Sequence, residues 1–534
     1  MPQRRRRSGQ AIGRGRGATE GGGPHVQAPS RLRRRRRADR QRRGGGERTV
    51  VSSLDLTPPG GLSMNSNVNP VLDGGLTLSE KLVAAAAEAM TSVPDPVLAS
   101  ARLHLLDSLG VGILGSVSGP VRTVTSIADS SGHGPCTVLG RQDGAPAPVA
   151  ALANGALIHS LEFDDTHVAS VMHGSSTLTS AALAAAESSG ADGDRMTAAY
   201  AVGWEVLIRM GLASPGTLQS RGFQTTSAAG PFAAALVSIL IRGDTDNGAD
   251  ALGIAGSQPG GTFAFLAEGA TVKAAQPAWA AHSGLWAAEL ARAGITGPSR
   301  VLDGDHGFYT LFADDPEAPA RLDVLLGDLG DKWHLPDAAY KLIPCCHFIH
   351  PFVEAVEQLL AEGLRPSDID SLHCHVPTGA APVIAEPWGA RQSPPSGHDA
   401  RWSLPYVLAA RLVDGEVRNS LFTDPIGGQR AAVAGRMTYE LWDDSGFPAR
   451  YPARVDARTT DGRVLTTTVR DVLGGAGRPV PEEAIRAKAD RNLRLAGWTA
   501  DEAAGLIELL VDTPSLDLPA LSARLRGADG AGHR

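Results

Sequence analysis

HSLEFDDTHVASVMHG, residues 159–174, places three histidines, three acidic residues and a threonine within sixteen positions. On either side lie Ala-rich apolar windows, 148–158 and 176–190, with helical spacing. A polar stretch between two apolar helices must be held beside a core rather than strung out in solvent. This cluster fits three roles. It is a solvated loop in which Asp165 and Thr166 cap helices, a metal site built on His and Asp, or an acid/base centre facing a carboxylate substrate. The segment has no HxxxH or HExxH pair, which weighs against the metal.

Outward from this loop the helical pattern continues. Leu82, Val83, Ala86 and Met90 recur at helical spacing from Thr77, with Ser79 or Asp73 as caps. VLASARLHLLDSLGVGILG is an apolar stripe ending at Gly115, and further windows cover 194–213, 229–242 and 277–293. The spacing predicts an all-helical region over 78–336. Past Pro336 the texture changes. DIDSLHCHVP, GQRAAVAGRMTYELW and PARVDARTTDGRVLTTTVRDV alternate like strands, with TDGR as a hairpin turn. Helical windows at 351–362 and 403–412 lie among them, so 337–475 reads as an α+β insert. After GGAGRPVP the pattern is helical again over 476–534, and the two helical parts are expected to pack together.

The chain has 534 residues, of which 42% are apolar, and a mean hydropathy of −0.09, enough to bury a sizeable core. No run reaches the roughly 18 consecutive apolar residues of a membrane span, so membrane insertion is not expected. Four cysteines cannot form a disulfide framework in a chain this long, and Cys345 and Cys346 are adjacent. That usage predicts a reducing, cytoplasmic setting.

The net charge of −7 conceals two unlike parts. Residues 1–63 carry 16 Arg against four acidic residues, a charge of +12, while the remainder carries −19. The Arg blocks sit among Gly, Pro and Gln with almost no apolar residue, which predicts disorder. No aromatic residue interleaves with them to stack bases. The segment therefore reads as a dispensable tail, or as coding upstream of a start at Met64, rather than a nucleic-acid arm.

Three further stretches carry candidate chemistry. RGFQTTSAAGPFAAAL offers Gln224, Thr225, Thr226 and Ser227 in a loop entering a helix expected after Gly230, where free amides attract anions. In EGATVKAAQPAWAAHSGLWAA, Lys273 is the only lysine between Lys81 and Lys332. It is either a snorkelling surface residue or a buried counter-charge for a carboxylate. YKLIPCCHFIHP brings Lys341, His347 and His350 to the junction of the two regions, and such junctions favour binding sites. The cysteine pair lacks CxxC spacing and reads as packing.

These blocks, with ALGIAGSQPGG and SLPYVLAARLVDGEV, occur in one order over residues 78–525 and resemble the MmgE/PrpD family. That family includes 2-methylcitrate dehydratase, cis-aconitate decarboxylase and iminodisuccinate epimerase. The resemblance implies a mainly α protein: a discontinuous all-helical domain with an inserted α+β lid domain, the active site between them. It also implies a homodimer that needs no metal or organic cofactor. By position, the motif residues fall on Glu162, Asp165, Thr166, His173, Lys273, Lys341, His350 and Tyr406. Glu162 stands where Asp is usual, and Gln224 and Gln276 stand where His is common. Glutamine hydrogen-bonds but does not exchange a proton near pH 7.

The resemblance implies a lyase, a dehydratase or decarboxylase, acting on a small di- or tricarboxylate by proton transfer α to a carboxylate. The alternatives are an epimerase of the same family and an inactive binding paralogue. The developing aci-carboxylate needs cations and donors in place. Catalysis is expected from His173, Lys273, Glu162, Thr166 and Tyr406, and substrate binding from Asp165, Gln224, Thr225, Lys341 and His350.

Overall fold

The computed structural model describes residues 75–424 and 426–526; the Arg-rich segment 1–63 lies outside the described residues. Helix α1 (Leu78–Ala89) is capped by Thr77, not by Ser79 or Asp73. Thr77 and Glu80 satisfy each other's backbone amides in a reciprocal capping box. Helices α2 (Asp95–Ser118), α3 (Ala147–His159), α4 (Gly174–Ser189), α5 (Gly193–Ala213), α6 (Thr225–Arg242) and α7 (Val272–Arg292) follow, each within a few residues of its apolar window. The exception is α6, which starts at Thr225, ahead of Gly230. Gln224 serves as its N-cap, so the hydroxyl-rich stretch is the first helical turn and not a loop.

Small residues let these helices pack closely. A side-chain carbon added at Gly155 of α3 would lie 2.8 Å from the Cα of Ala278 on α7 and 2.9 Å from the Ser176 carbonyl on α4. Helices α2 and α6 are long and apolar enough to cross a bilayer, yet 78% and 94% of their apolar windows are buried inside the protein. They are core helices.

The α+β part has its own apolar core, drawn from residues 345–469 together with Phe265. It holds helices α8 (His350–Ala361) and α9 (Leu404–Asp414). Its four strands are β1 (Ile369–Pro377), β2 (Thr438–Trp442), β3 (Ala453–Thr459) and β4 (Val464–Val469), in the order β2-β1-β3-β4. β1 and β2 run parallel; β1–β3 and the hairpin β3–β4 are antiparallel. Only the last five residues of GQRAAVAGRMTYELW are strand. Gly428–Ala434 is a helical turn, in keeping with its alanines, and β2 begins at Thr438.

Helix α10 (Glu482–Leu495) returns to the first helical part and lies along α2, where Gly110 faces Ala489. The contact includes a buried ion pair, Lys488 Nζ to Asp107 Oδ1 at 2.7 Å. Lys488 also donates to the main-chain carbonyl of Phe163 at 2.8 Å.

Candidate active site

The loop from His159 to His173 leaves α3 and enters α4, and its polar groups are almost all buried. Two of its residues adopt left-handed backbone, Glu162 (φ 51°) and the β-branched Val171 (φ 55°). Such residues persist only where surrounding contacts hold them, and they concentrate at functional sites. Here the contacts are visible. Buried Arg401 donates to the Leu161 carbonyl at 2.6 Å and to that of Pro344 at 2.7 Å. On the far side, His167 and Met172 exchange both backbone hydrogen bonds, and the Thr225 hydroxyl donates to the Val171 carbonyl.

Held this way, Glu162 pairs with Lys273, and its other carboxylate oxygen lies 3.6 Å from Lys341 Nζ. Burial raises the Glu162 carboxyl's proton affinity, but Lys273, Lys341 and the neighbouring histidines outweigh it and hold it well below the usual carboxylate range. Burial likewise disfavours the Lys341 ammonium, and Glu162 and Asp164 more than offset that, raising it. Lys273 Nζ also donates to His159 Nε2 at 2.7 Å, and His159 Nδ1 donates to Asp164 Oδ2 at 2.8 Å. Lys273 is thus a buried counter-charge and not a snorkelling residue.

His173 stands beside this network, its ring centroid 5.3 Å from that of His159. Its Nδ1 lies 3.0 Å from the Asp165 carbonyl and 2.9 Å from Thr166 Oγ1. A carbonyl only accepts, so Nδ1 carries the proton and Nε2 keeps its lone pair. Burial, then Lys341 and Lys273, push the imidazole well below its ordinary range. The ring is therefore neutral near pH 7.

A pocket opens onto these groups. Glu162, Thr166, His173, Gln224, Thr225 and Lys273 line it from the helical part, and Cys346, His347, Phe348, Trp402 and Tyr451 from the α+β part. The Trp402 ring lies 5.6 Å from Lys273 Nζ. Lys273 and Lys341 face the buried carboxylates of Glu162 and Asp164, and Lys273 is the ammonium that lines the cavity, placed to meet an anion.

Several candidates lie elsewhere than expected. Tyr406 does not line the cavity: it is in the first turn of α9, behind the Ser403 cap, and its ring is buried in the α+β core. Asp165 turns away from the cavity, holding His104 at 2.6 Å and the Ser175 amide at 3.2 Å. Lys341 and His350 are buried behind the lining, where Lys341 acts through Glu162. Gln224 spends its side-chain oxygen on the Ser227 amide at 2.6 Å, and Thr226 accepts from the His173 amide at 2.8 Å. The helix start therefore braces His173 through the Thr226 hydroxyl. Gln276 holds the Thr262 carbonyl at 2.9 Å and does not reach the cavity.

His159, Asp164, Arg401, Trp402 and Tyr451 were not singled out as site residues from the sequence. His347 was noted, but His350 was preferred; in the structure His347 lines the cavity, and neither of its ring nitrogens has a hydrogen-bond partner among the described residues.

The sequence also carries the signatures of the MmgE/PrpD N-terminal domain over residues 82–320 and the MmgE/PrpD C-terminal domain over 343–512. The chain belongs to the MmgE/PrpD family. Among curated MmgE/PrpD-like relatives, a cis-aconitate decarboxylase-like protein of Aspergillus oryzae is 33% identical over 74% of this chain and 86% of its own length. The cis-aconitate decarboxylase of Aspergillus terreus is 29% identical over 78% and 88%, and that of Mus musculus 28% over 81% and 90%. The mostly helical architecture, with one small sheet, is consistent with MmgE/PrpD membership, and the relatives support a lyase.

Proposed function

We propose that this protein is a cofactor-independent lyase that decarboxylates a small unsaturated di- or tricarboxylate, with cis-aconitate as the first substrate to test. The observation that carries this reading is the Lys273–Glu162–Lys341 charge network beside the free Nε2 of His173, around one pocket. The names of the curated relatives support decarboxylation as the first choice within the family.

A substrate carboxylate entering the cavity competes with Glu162 for Lys273. The C–C bond to a second carboxylate breaks, CO₂ leaves, and the electron pair passes into the carbon skeleton as the aci-form of a retained carboxylate. A preorganised ammonium stabilises that charge without reorganisation. The vacant position on carbon takes a proton. His173 is the proton carrier. Its imidazole is neutral in the empty site because burial and two lysines oppose its charge. A polyanionic substrate cancels the lysines and raises its proton affinity. Thr166 and the Asp165 carbonyl hold the ring in one tautomer, and Glu162 sets the position of Lys273. The α+β part, through Trp402, His347 and Tyr451, acts as the lid that excludes water.

A neutral imidazole with a free Nε2 is also a ready base, which favours dehydration of a hydroxy-acid as a second reading. There His173 removes the proton α to a carboxylate and the β-hydroxyl departs. Incubation with cis-aconitate, methylcitrate and citrate, following CO₂ release and alkene absorbance separately, distinguishes the two. Inertness towards a broad di- and tricarboxylate panel would point instead to a binding paralogue.

We further propose a cytoplasmic homodimer. Val272, Trp279 and Trp286 recur every seven residues along α7 and are 52%, 55% and 47% exposed, an apolar stripe suited to a second copy.

A further inference from the structure

We propose that His373, His375 and Glu440 form a peripheral site for a borderline divalent cation of the zinc type, on the open face of the α+β sheet and independent of the catalytic cavity. The starting point is strand alternation. In β1, His373 and His375 point to one face while Cys374 between them is buried in the core beneath. Register places Glu440 of the parallel neighbour β2 directly opposite His375, and Thr438 opposite His373. On the other flank, β3 sets Asp456 opposite His373. Two imidazoles and a carboxylate thus converge from two strands, with one ligand atom of each within 4.8 Å of the others.

The second nitrogen of each ring is already anchored. His373 Nδ1 is hydrogen-bonded to Thr438 Oγ1 at 2.8 Å, leaving Nε2 3.5 Å from Glu440 Oε2. His375 Nε2 donates to Asp456 Oδ2 at 2.9 Å, leaving Nδ1 2.6 Å from Glu440 Oε1. Metal-bound histidines are oriented in this manner, the non-ligating N–H held by a carboxylate or other acceptor. Asp456 Oδ1 is itself fixed by the Thr466 hydroxyl at 2.7 Å, with Arg454 Nε 3.7 Å from the same oxygen. His375 Nδ1 meets the Glu440 carboxylate at hydrogen-bond distance, and a bound ion would take its place between them.

Imidazole nitrogens with one carboxylate suit Zn²⁺ and its neighbours, not Mg²⁺ or Ca²⁺. Glu440 is 57% exposed, so the site is reachable from solvent, with room for water ligands. A bound ion would join the short edge strand β2 to the centre of the sheet.

The test is equilibrium dialysis of the full-length chain, free of any affinity tag, against Zn²⁺ with Mg²⁺ in excess. The wild type should hold one Zn²⁺ more per chain than His373→Ala/His375→Ala. Glu440→Gln, a change at an exposed position, should raise Kd at least tenfold. Asp456→Asn should weaken binding by about tenfold, as loss of an outer-shell partner does. Zn²⁺ should raise the melting temperature of the wild type and not of Glu440→Gln, and turnover should be the same in both. Equal Zn²⁺ uptake by wild type and Glu440→Gln would overturn the site. So would proton NMR showing a doubly protonated His375 that Zn²⁺ leaves unchanged near pH 7.5, which would make the cluster an ion pair only.

Discussion

His173 Nδ1 sits 3.0 Å from the main-chain carbonyl of Asp165, and this contact decides which ring nitrogen is left to work. His173→Asn keeps a donor near that carbonyl and removes Nε2. It should lower kcat by roughly 10²–10⁴ with little change in KM, the range for a positioned acid or base. Steady-state kinetics on cis-aconitate or the true substrate decide it. Near wild-type turnover would transfer the proton-carrying role to another group, with His347 next in line.

Lys273 is expected to behave differently. Lys273→Met removes a cation that meets a substrate carboxylate in both the ground and transition states, so KM should rise and kcat fall together. Glu162→Gln tests the partner. Lys273 then loses its buried counter-charge and stands free to bind anions, so substrate binding should be kept while kcat drops through lost positioning. If Glu162→Gln leaves kcat unaltered, the ion pair does not order the site.

Several histidines are buried neutral, which fixes the sign of an acid response. Burial, with Lys341 nearby, pushes His350 down to about 3; burial and His334 do the same to His167; burial and Arg209 take His334 to about 4. The unfolded chain takes up these protons near pH 6.5, and the folded one does not. Stability should therefore fall as pH drops below about 6.5. Asp107 opposes this over part of the range, because burial, against the pull of Lys488, raises its carboxyl to about 6. Burial raises the Glu205 and Asp337 carboxyls in the same sense, but it also lowers His173, His347, His282 and His398, so the net sign is unchanged. Urea midpoints at pH 7.5, 6.0 and 5.0 should decline in that order; a constant or rising midpoint would refute the assignment.

The Asp107–Lys488 pair should be costly to break and cheap to replace. Lys488→Met strands a buried carboxylate and should destabilise by about 3–5 kcal/mol. The double change Asp107→Leu with Lys488→Met should recover much of that in chemical denaturation.

Light scattering at micromolar concentration should give about twice the 55.4 kDa chain mass. Trp286→Glu, placing charge in the exposed stripe of α7, should shift the particle towards the monomer. An active wild type that is strictly monomeric would remove the homodimer.

The helices were legible because their apolar periodicity is strong; α3, α4, α5 and α7 lie within a few residues of the windows read from composition. The β3–β4 hairpin was legible from TDGR. The first two thirds of GQRAAVAGRMTYELW were misread because alternation in an Ala-rich run does not separate a helical turn from a strand. In the site, residues of one contiguous motif were found together: Glu162, Thr166 and His173. What local pattern does not carry is direction. Tyr406 shares its motif with the Ser403 cap, yet its ring packs into the α+β core, while Tyr451 and Trp402 reach the cavity from stretches with no polar signature. His159 opens the quoted polar cluster, yet nothing in the sequence marks it as the acceptor for a lysine 114 residues away.

The contact from Lys488 to the Phe163 carbonyl spans 325 residues and bears on synthesis. On the ribosome, the stretch around Glu162 emerges early, but the ammonium that holds its Phe163 carbonyl is made 325 residues later. A nascent chain, or one cut short before α10, carries every residue that touches the cavity and still lacks this hold on their loop. Premature stops just ahead of α10 should therefore be as damaging as substitutions in the cavity itself.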